Sequence, residues 1–309
     1  MIFLLIAALA AIAAFMLVGI RGNLSFVLPF RAWKLFSLLI VASSIAMSTV
    51  IFQTVTANRI LTPSIMGFDA LYALLQTLLI FFIGSVTVSA FEPSVLFFGE
   101  VCLMMGASLL LCRLLFTGRI RSLHLMLLIG IVAGSSFRSV SGFFQRVIDP
   151  TEFVVLQDRL FASFNSADRE LSMISAIVFV VCCLLVWRLR HDLDVMSLGR
   201  DNAIALGVDH DRVVRLVLIV VSALVSISTA LVGPVTFFGL LVASIAYALV
   251  PTARHVWTVP AAVLVGIISL VGGQTILERL FAFDTALSII IEFLGGILFI
   301  LMALRKTSR

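Results

Sequence analysis

Read for polarity alone, the chain is a succession of apolar runs separated by short polar stretches. The runs lie near 2–19, 33–52, 65–87, 94–115, 123–144, 171–187, 213–232, 237–250, 256–274 and 286–304. A helix needs roughly 20 apolar residues to cross about 30 Å of hydrocarbon, and only 237–250 falls clearly short of a full crossing. No stretch alternates apolar and polar residues in the manner of a barrel strand. The pattern predicts an all-α integral membrane protein with about ten transmembrane helices.

One polar segment breaks the rhythm. "DVMSLGRDNAIALGVDHDRV" (194–213) is longer and more charged than a link between two spans requires. Gly207 follows "NAIAL", where a left-handed residue ends a helix. Asp209 and Asp211 precede the next apolar run, where a carboxylate accepts unpaired N–H groups and complements the helix dipole. The segment therefore predicts a short helix, a glycine stop and a freshly capped helix. Two readings stand: a surface helix gripped by another protein, or a solvated loop with one helical turn.

Composition agrees with the pattern. Hydrophobic residues make up 62% of the chain and charged residues 12%, with a mean hydropathy of +1.23. A soluble domain carries about 25% charged residues, so this chain has too little polar surface to cover a globule in water. The first run holds small residues in A-x-A order, but it lacks a positive leading region and its apolar core is overlong. It reads as a retained span rather than a cleaved signal.

Charge supplies the orientation. With the N-terminus inside and the spans alternating, 13 of the 21 lysines and arginines fall on the inner side. Short inner loops carry such an excess, which places both termini in the cytoplasm and segment 194–212 beside them. Several outer positives have acidic neighbours in sequence, among them Asp149, Glu152, Asp168 and Glu278. Arg31 and Lys34 have none and need a separate reason.

The chemistry-bearing residues are few. All four cysteines (Cys102, Cys112, Cys182, Cys183) lie in apolar runs and the four histidines are scattered, so neither metal nor disulfide chemistry is expected and no cofactor is implied. No G-x-x-x-x-G-K-[ST] loop is present, and the only lysines are Lys34 and Lys306, so the chain is not itself an ATPase. Glu100 and Glu292 lie within apolar runs and Asp69 lies near the start of one. Buried acids in a membrane suggest either a proton relay or a polar bond to another helix, and the second suffices. Gly130 and Gly134 form a lone GxxxG for close packing, and Arg138 on the same run lies toward the outer mouth. Gly233-Pro234 should break its helix sharply.

At the charged segment the chain resembles a known family. "SLGRDNAIALGV" followed by "DHDRV" is similar to the cytoplasmic coupling segment of the FecCD-type permeases, the membrane subunits of iron–siderophore ABC importers, a group that includes the cobalamin importer permease. Ser197, Leu198, Gly199, Ala205, Leu206, Gly207, Val208 and Arg212 match its pattern. "FQTVTANRILTPSIMG" (52–67) resembles the family's loop after the second span through Gln53, Asn58, Pro63 and Gly67. "VGPVTFFGLLV" (232–242) resembles its Gly-Pro turn, and "LERLFAFD…LGGILFILMAL" its final spans. Departures are Ala243, Ser244 and Tyr247, where the family has Pro-His and an Arg, and "DTALS" in place of Leu-Pro before the last span.

The resemblance implies a type II ABC importer permease fold over a single transmembrane domain, 1–309, in the cell inner membrane. It implies that the coupling segment fits a groove on a separate ATPase dimer. It also implies that Arg31, Lys34 and Arg279 meet carboxylates on a substrate-binding protein through charge-assisted contacts, the alternative being that they snorkel to lipid headgroups. The permease would pair with itself or a sister subunit and pass a ferric siderophore, with heme or cobalamin as other cargoes of the scaffold. Its partners are thus proteins, a chelate and membrane lipid, with no nucleic acid. A proton- or ion-coupled secondary transporter using Glu100 and Glu292 is the competing class, as is a membrane scaffold without transport.

Overall fold

The computed structural model describes residues 1–19, 24–116, 123–161, 168–280 and 287–307. Arg21, Arg119, Arg121 and Arg309 of the charge tally, and residues 284–286 of the last departure, lie outside the described residues. So do the side chains of Cys112, His124, Arg305 and Lys306.

Where the residues are described, the ten apolar runs fall mainly on helix. The helices are α1 (Ile2–Leu17), α2 (Leu24–Val55), α3 (Asp69–Ile83), α4 (Ser85–Ala90), α5 (Pro93–Phe116), α6 (Leu123–Val147), α7 (Pro150–Leu160), α8 (Arg169–Met196), α9 (Arg200–Ala205), α10 (His210–Val232), α11 (Phe238–Leu249), α12 (His255–Leu280) and α13 (Leu287–Thr307), with a π-helical turn at Ser64–Phe68 before α3. Among the described residues there is no strand. Among the described residues, six helical segments are long and apolar enough to cross a membrane by themselves, and the chain is a multi-pass membrane protein.

The packing has a hub. α2 and α10 are mostly buried, as expected of helices surrounded by protein rather than lipid. One apolar core joins them to α8 and the π turn through Ile51, Phe52, Phe68, Leu193 and Leu224. A second joins them to α1, α11 and α12 through Phe15, Leu38, Val41, Phe238 and Leu270. α1 buries Leu4, Ala8 and Phe15 and leaves Ile2, Phe3, Ile6 and Leu9 exposed on a lipid-like face.

Lipid tails supply no hydrophobic drive between helices, so small residues set the close crossings. A Cβ on Gly266 of α12 would lie 3.1 Å from the carbonyl oxygen of Ala42 on α2. Gly134 of α6 meets Gly67 of the π turn backbone to backbone, and Gly130 sits under Met66. The GxxxG pair therefore seats α6 on that turn, where Gly67 takes a φ of 104°.

Two features were not anticipated. The third run ends at Ile83 rather than near 87, because Gly84 turns out of the helix at φ 83° and the Glu152 carboxylate accepts the Ser85 N–H at 2.6 Å to start α4. That glutamate sits on α7, an amphipathic helix between two spans. Its signature is local: Asp149 accepts the Thr151 N–H at 2.9 Å, and Pro150 occupies the first turn. Those bonds from Thr151 hold the exposed Asp149 carboxyl below its ordinary value.

The break at Gly233-Pro234 is present, with Gly233 at φ 89°. α11 has 12 residues, about 18 Å at 1.5 Å per residue, against about 30 Å of hydrocarbon. Its C-terminal end leads into His255 at the membrane face that carries α9. The loop 233–237 therefore lies at membrane depth, where irregular backbone must be buried or line a cavity.

Candidate functional site: a capped surface helix, a broken core and a cationic face

The segment around α9 is built as its residues dictate. α8 continues past Met196 in hydrogen-bonded turns: Ser197 N–H reaches the Leu193 carbonyl at 3.1 Å, and the Ser197 hydroxyl reaches the Asp194 carbonyl at 2.6 Å. Gly199, at φ 96°, reverses the chain into α9, and the Asn202 amide donates back to the Leu198 carbonyl at 2.8 Å. At the far end Gly207 takes φ 87°. Its N–H bonds to the Ile204 carbonyl, and the Val208 N–H to the Ala203 carbonyl, both at 3.0 Å. This is a Schellman stop, which the left-handed glycine makes possible. Asp209 then accepts the Arg212 N–H at 3.1 Å and starts α10.

The side chains of this segment divide by role. Ala203 is fully buried and tacks α9 to the body of the protein. Leu198, Ile204 and Leu206 are 57%, 51% and 63% exposed, although they lie among Arg200, Asp201, Asn202 and Arg212 rather than in an apolar span. Apolar side chains on a charged surface segment favour contact with another protein. Ser197, Ala205 and Gly207 are exposed beside them, and Val208 is half-buried.

In the core, two breaks in helical backbone meet. The Asp69 side chain takes hydrogen bonds from Ser64 of the π turn and from Thr236 of the 233–237 loop. Glu292 of α13 accepts the backbone N–H of the same Thr236. One threonine therefore joins two acids, and the acids supply acceptors that the broken helix lacks. A cavity of about 10 Å³ lies between Ser48, Thr49, Ser64, Asp69, Ser228 and Thr229, room for about one water. Glu100 is held elsewhere, 3.4 Å from Arg159 of α7, beside an apolar cavity of about 280 Å³ between α3 and α5. These placements give Glu100 and Glu292 polar bonds to other elements.

The face opposite α9 holds the three cations singled out in the sequence, and all three make bonds within the protein. The Arg31 guanidinium donates to the carbonyls of Phe15, Met16, Val18 and Gly19 at 3.0–3.2 Å. It thus caps the C-terminus of α1, where carbonyls lack helical partners and the dipole is negative. Lys34 forms a largely buried ion pair with Glu278 of α12. Lys34 has no acidic neighbour in sequence, and its partner is far away in sequence and adjacent in space. Arg279 is exposed and donates to the Gly19 carbonyl at 3.1 Å. Arg169 stacks on Trp33 with its guanidinium carbon 4.4 Å from the ring centroid.

The loop after α2 is also held by its marked residues. The Gln53 amide donates to the Arg59 carbonyl at 2.6 Å, and Asn58 accepts the Ile60 N–H at 3.0 Å. Arg59 in turn lies over the Tyr247 ring, 4.7 Å from its centroid, so the tyrosine that departs from the family pattern is a cation–π partner.

Among characterised proteins, the chain is 47% identical over 285 residues to the petrobactin import system permease protein YclO of Bacillus subtilis, covering 92% of this chain and 90% of that protein. It is 37% identical to the petrobactin import system permease protein FatC of Bacillus anthracis, covering 89% and 78%. Its fold matches a solved metal-chelate type ABC transporter in an inward-facing conformation, with a TM-score of 0.83 at 24% identity and coverage of 98% and 97%. The FecCD transport family matches residues 1–305, and the chain belongs to that family.

Proposed function

We propose that the chain is the membrane permease subunit of an ATP-driven importer that passes a ferric siderophore, of the petrobactin type, into the cytoplasm. The observation that carries this reading is the α9 segment: a short helix ended by a glycine stop, with Leu198, Ile204 and Leu206 exposed outside any span. A secondary transporter has no use for such a surface. The names of YclO and FatC support petrobactin as the cargo.

In this reading the α9 face is cytoplasmic, both termini lie on that side, and the protein sits in the cell inner membrane. A separate ATPase dimer grips 197–208 and supplies the hydrolysis that the chain lacks the motif for. Two permease copies, or this chain and a sister, enclose the path. On the outer face a binding protein delivers the chelate by docking carboxylates near Arg31, Lys34 and Arg279. Arg279 makes the exposed contact, while Arg31 and Lys34 shape the patch through their bonds to α1 and α12.

The test is reconstitution of the permease with its ATPase and binding protein in vesicles, followed by uptake of iron-loaded petrobactin against other iron chelates, heme and cobalamin. ATP-dependent uptake selective for petrobactin is the expected result. Uptake driven by a proton gradient without ATP would overturn the reading.

A further inference from the structure

The last turn of α8, which leads into the α9 segment, is tied sideways to two helices that are distant in sequence. Asp194 Oδ1 accepts the backbone N–H of His255 at 2.6 Å and meets His255 Nδ1 at 2.7 Å. An ionised carboxylate can only accept, so Nδ1 carries the proton. The other ring nitrogen, Nε2, lies 2.7 Å from Thr54 Oγ1, on the last turn of α2, and that hydroxyl also lies 2.9 Å from the Val50 carbonyl oxygen.

Three helix ends therefore meet through one imidazole: the end of α8, the start of α12 and the end of α2. Asp194 does two things there, capping the positive end of the α12 dipole and fixing the ring. His255 is 5% exposed, so the tie is shielded from competing water. α2 and α8 are joined again toward their other ends, where the Ser37 and Ser172 hydroxyls lie 2.6 Å apart. On the other flank of α9, α10 packs through aliphatic residues such as Val213, Val214, Val217 and Leu218.

Resting on the permease reading above, we infer that Asp194, His255 and Thr54 form a positioning bracket that passes displacement of the α9 segment from α8 into α2 and α12. The physical reason is stiffness. The Asn202 amide of α9 bonds to the Leu198 carbonyl, and the Ser197 hydroxyl to the Asp194 carbonyl, so a displacement of α9 bears on the turn whose Asp194 holds α12 and α2. Hydrogen bonds of fixed direction transmit such a shift, whereas aliphatic contacts allow α10 to slide. The bracket acts through the helices and does not touch cargo or nucleotide.

The experiment reads coupling rather than stability. Thr54→Val, Thr54→Ser and His255→Ala permeases are reconstituted with the ATPase and binding protein. Retained ATPase, ATP hydrolysis and uptake per ATP hydrolysed are then measured. Thr54→Val keeps the side-chain shape and removes only the hydroxyl, and Thr54→Ser restores it. Thr54→Val and His255→Ala should keep the ATPase and hydrolyse ATP within about twofold of the parent, while uptake per ATP falls about fivefold or more, a common size for coupling between sites. Thr54→Ser should keep the parental ratio. The Thr54→Val/His255→Ala double variant should be no worse than His255→Ala, because both changes break one chain of bonds. A purely structural tie would lower yield and total uptake but leave the ratio unchanged. That ratio in assembled Thr54→Val, or loss of the ATPase from it, overturns the bracket. If the parent complex shows no ATP-driven uptake, the permease reading itself falls, and the bracket with it.

Discussion

Lys34 on α2 and Glu278 on α12 form a largely buried ion pair across 244 residues of sequence. Gln274, one turn before Glu278, donates to the same carboxylate oxygen at 2.9 Å. Removing one member of a buried pair leaves an uncompensated charge, whereas replacing both by apolar residues is often close to neutral. Lys34→Met alone should therefore destabilise the protein by about 3–5 kcal/mol, and Lys34→Met/Glu278→Leu by much less. Thermal unfolding in detergent of the two variants checks the difference.

Arg31 and Arg279 converge on the Gly19 carbonyl but differ in exposure. Arg31→Gln should loosen the end of α1 and lower the melting temperature, since a charged cap at a helix C-terminus contributes about 0.3–2 kcal/mol. Arg279→Glu should leave the melting temperature unchanged. It should slow association with the binding protein by about tenfold and flatten its salt dependence, as a lost rim charge does. Melting curves and association rates at two ionic strengths separate the roles. Unchanged docking in Arg279→Glu would remove the docking assignment.

At Gly207 nothing stands within 4 Å of the position a Cβ would take, so a substitution there is costly through backbone conformation alone. Gly207→Val should cost about 1–2 kcal/mol, and Gly207→Asn less, because asparagine tolerates the left-handed region. Leu206→Asp keeps the backbone and puts a charge on the exposed apolar patch. Both Gly207→Val and Leu206→Asp proteins should insert normally yet lose co-purifying ATPase. Retention of the ATPase at parental levels would reduce the segment to a loop.

Glu292 accepts the Thr236 N–H where α10 and α11 part. A glutamine offers the same acceptor, so Glu292→Gln should sustain ATP-driven uptake. Glu292→Leu leaves that N–H without its acceptor and should destabilise by about 1–3 kcal/mol. Glu100→Gln should likewise keep uptake, because its amide oxygen still accepts from the Arg159 guanidinium. Uptake with and without an imposed proton gradient is the measurement, and a new gradient dependence would favour ion coupling.

The features that the sequence determined by itself are local ones. Helical spans follow from run length, because hydrocarbon forces backbone groups to bond within their own segment. The stop at Gly207 and the cap at Asp209 depend on residues within one turn, and so does the start of α7 at Asp149-Pro150. The sharp break at Gly233-Pro234 is legible for the same reason. The tertiary structure alone decided which distant helix ends meet. Lys34 seemed unbalanced because Glu278 approaches it only after α12 packs on α2, and Arg31 found its partners in backbone carbonyls, which carry no sequence signature. The ring of His255 was one of four scattered histidines until packing placed it between Asp194 and Thr54. Local hydrogen bonding is written in neighbouring residues, whereas a long-range pair exists only where closely packed helices bring two polar groups within about 3 Å.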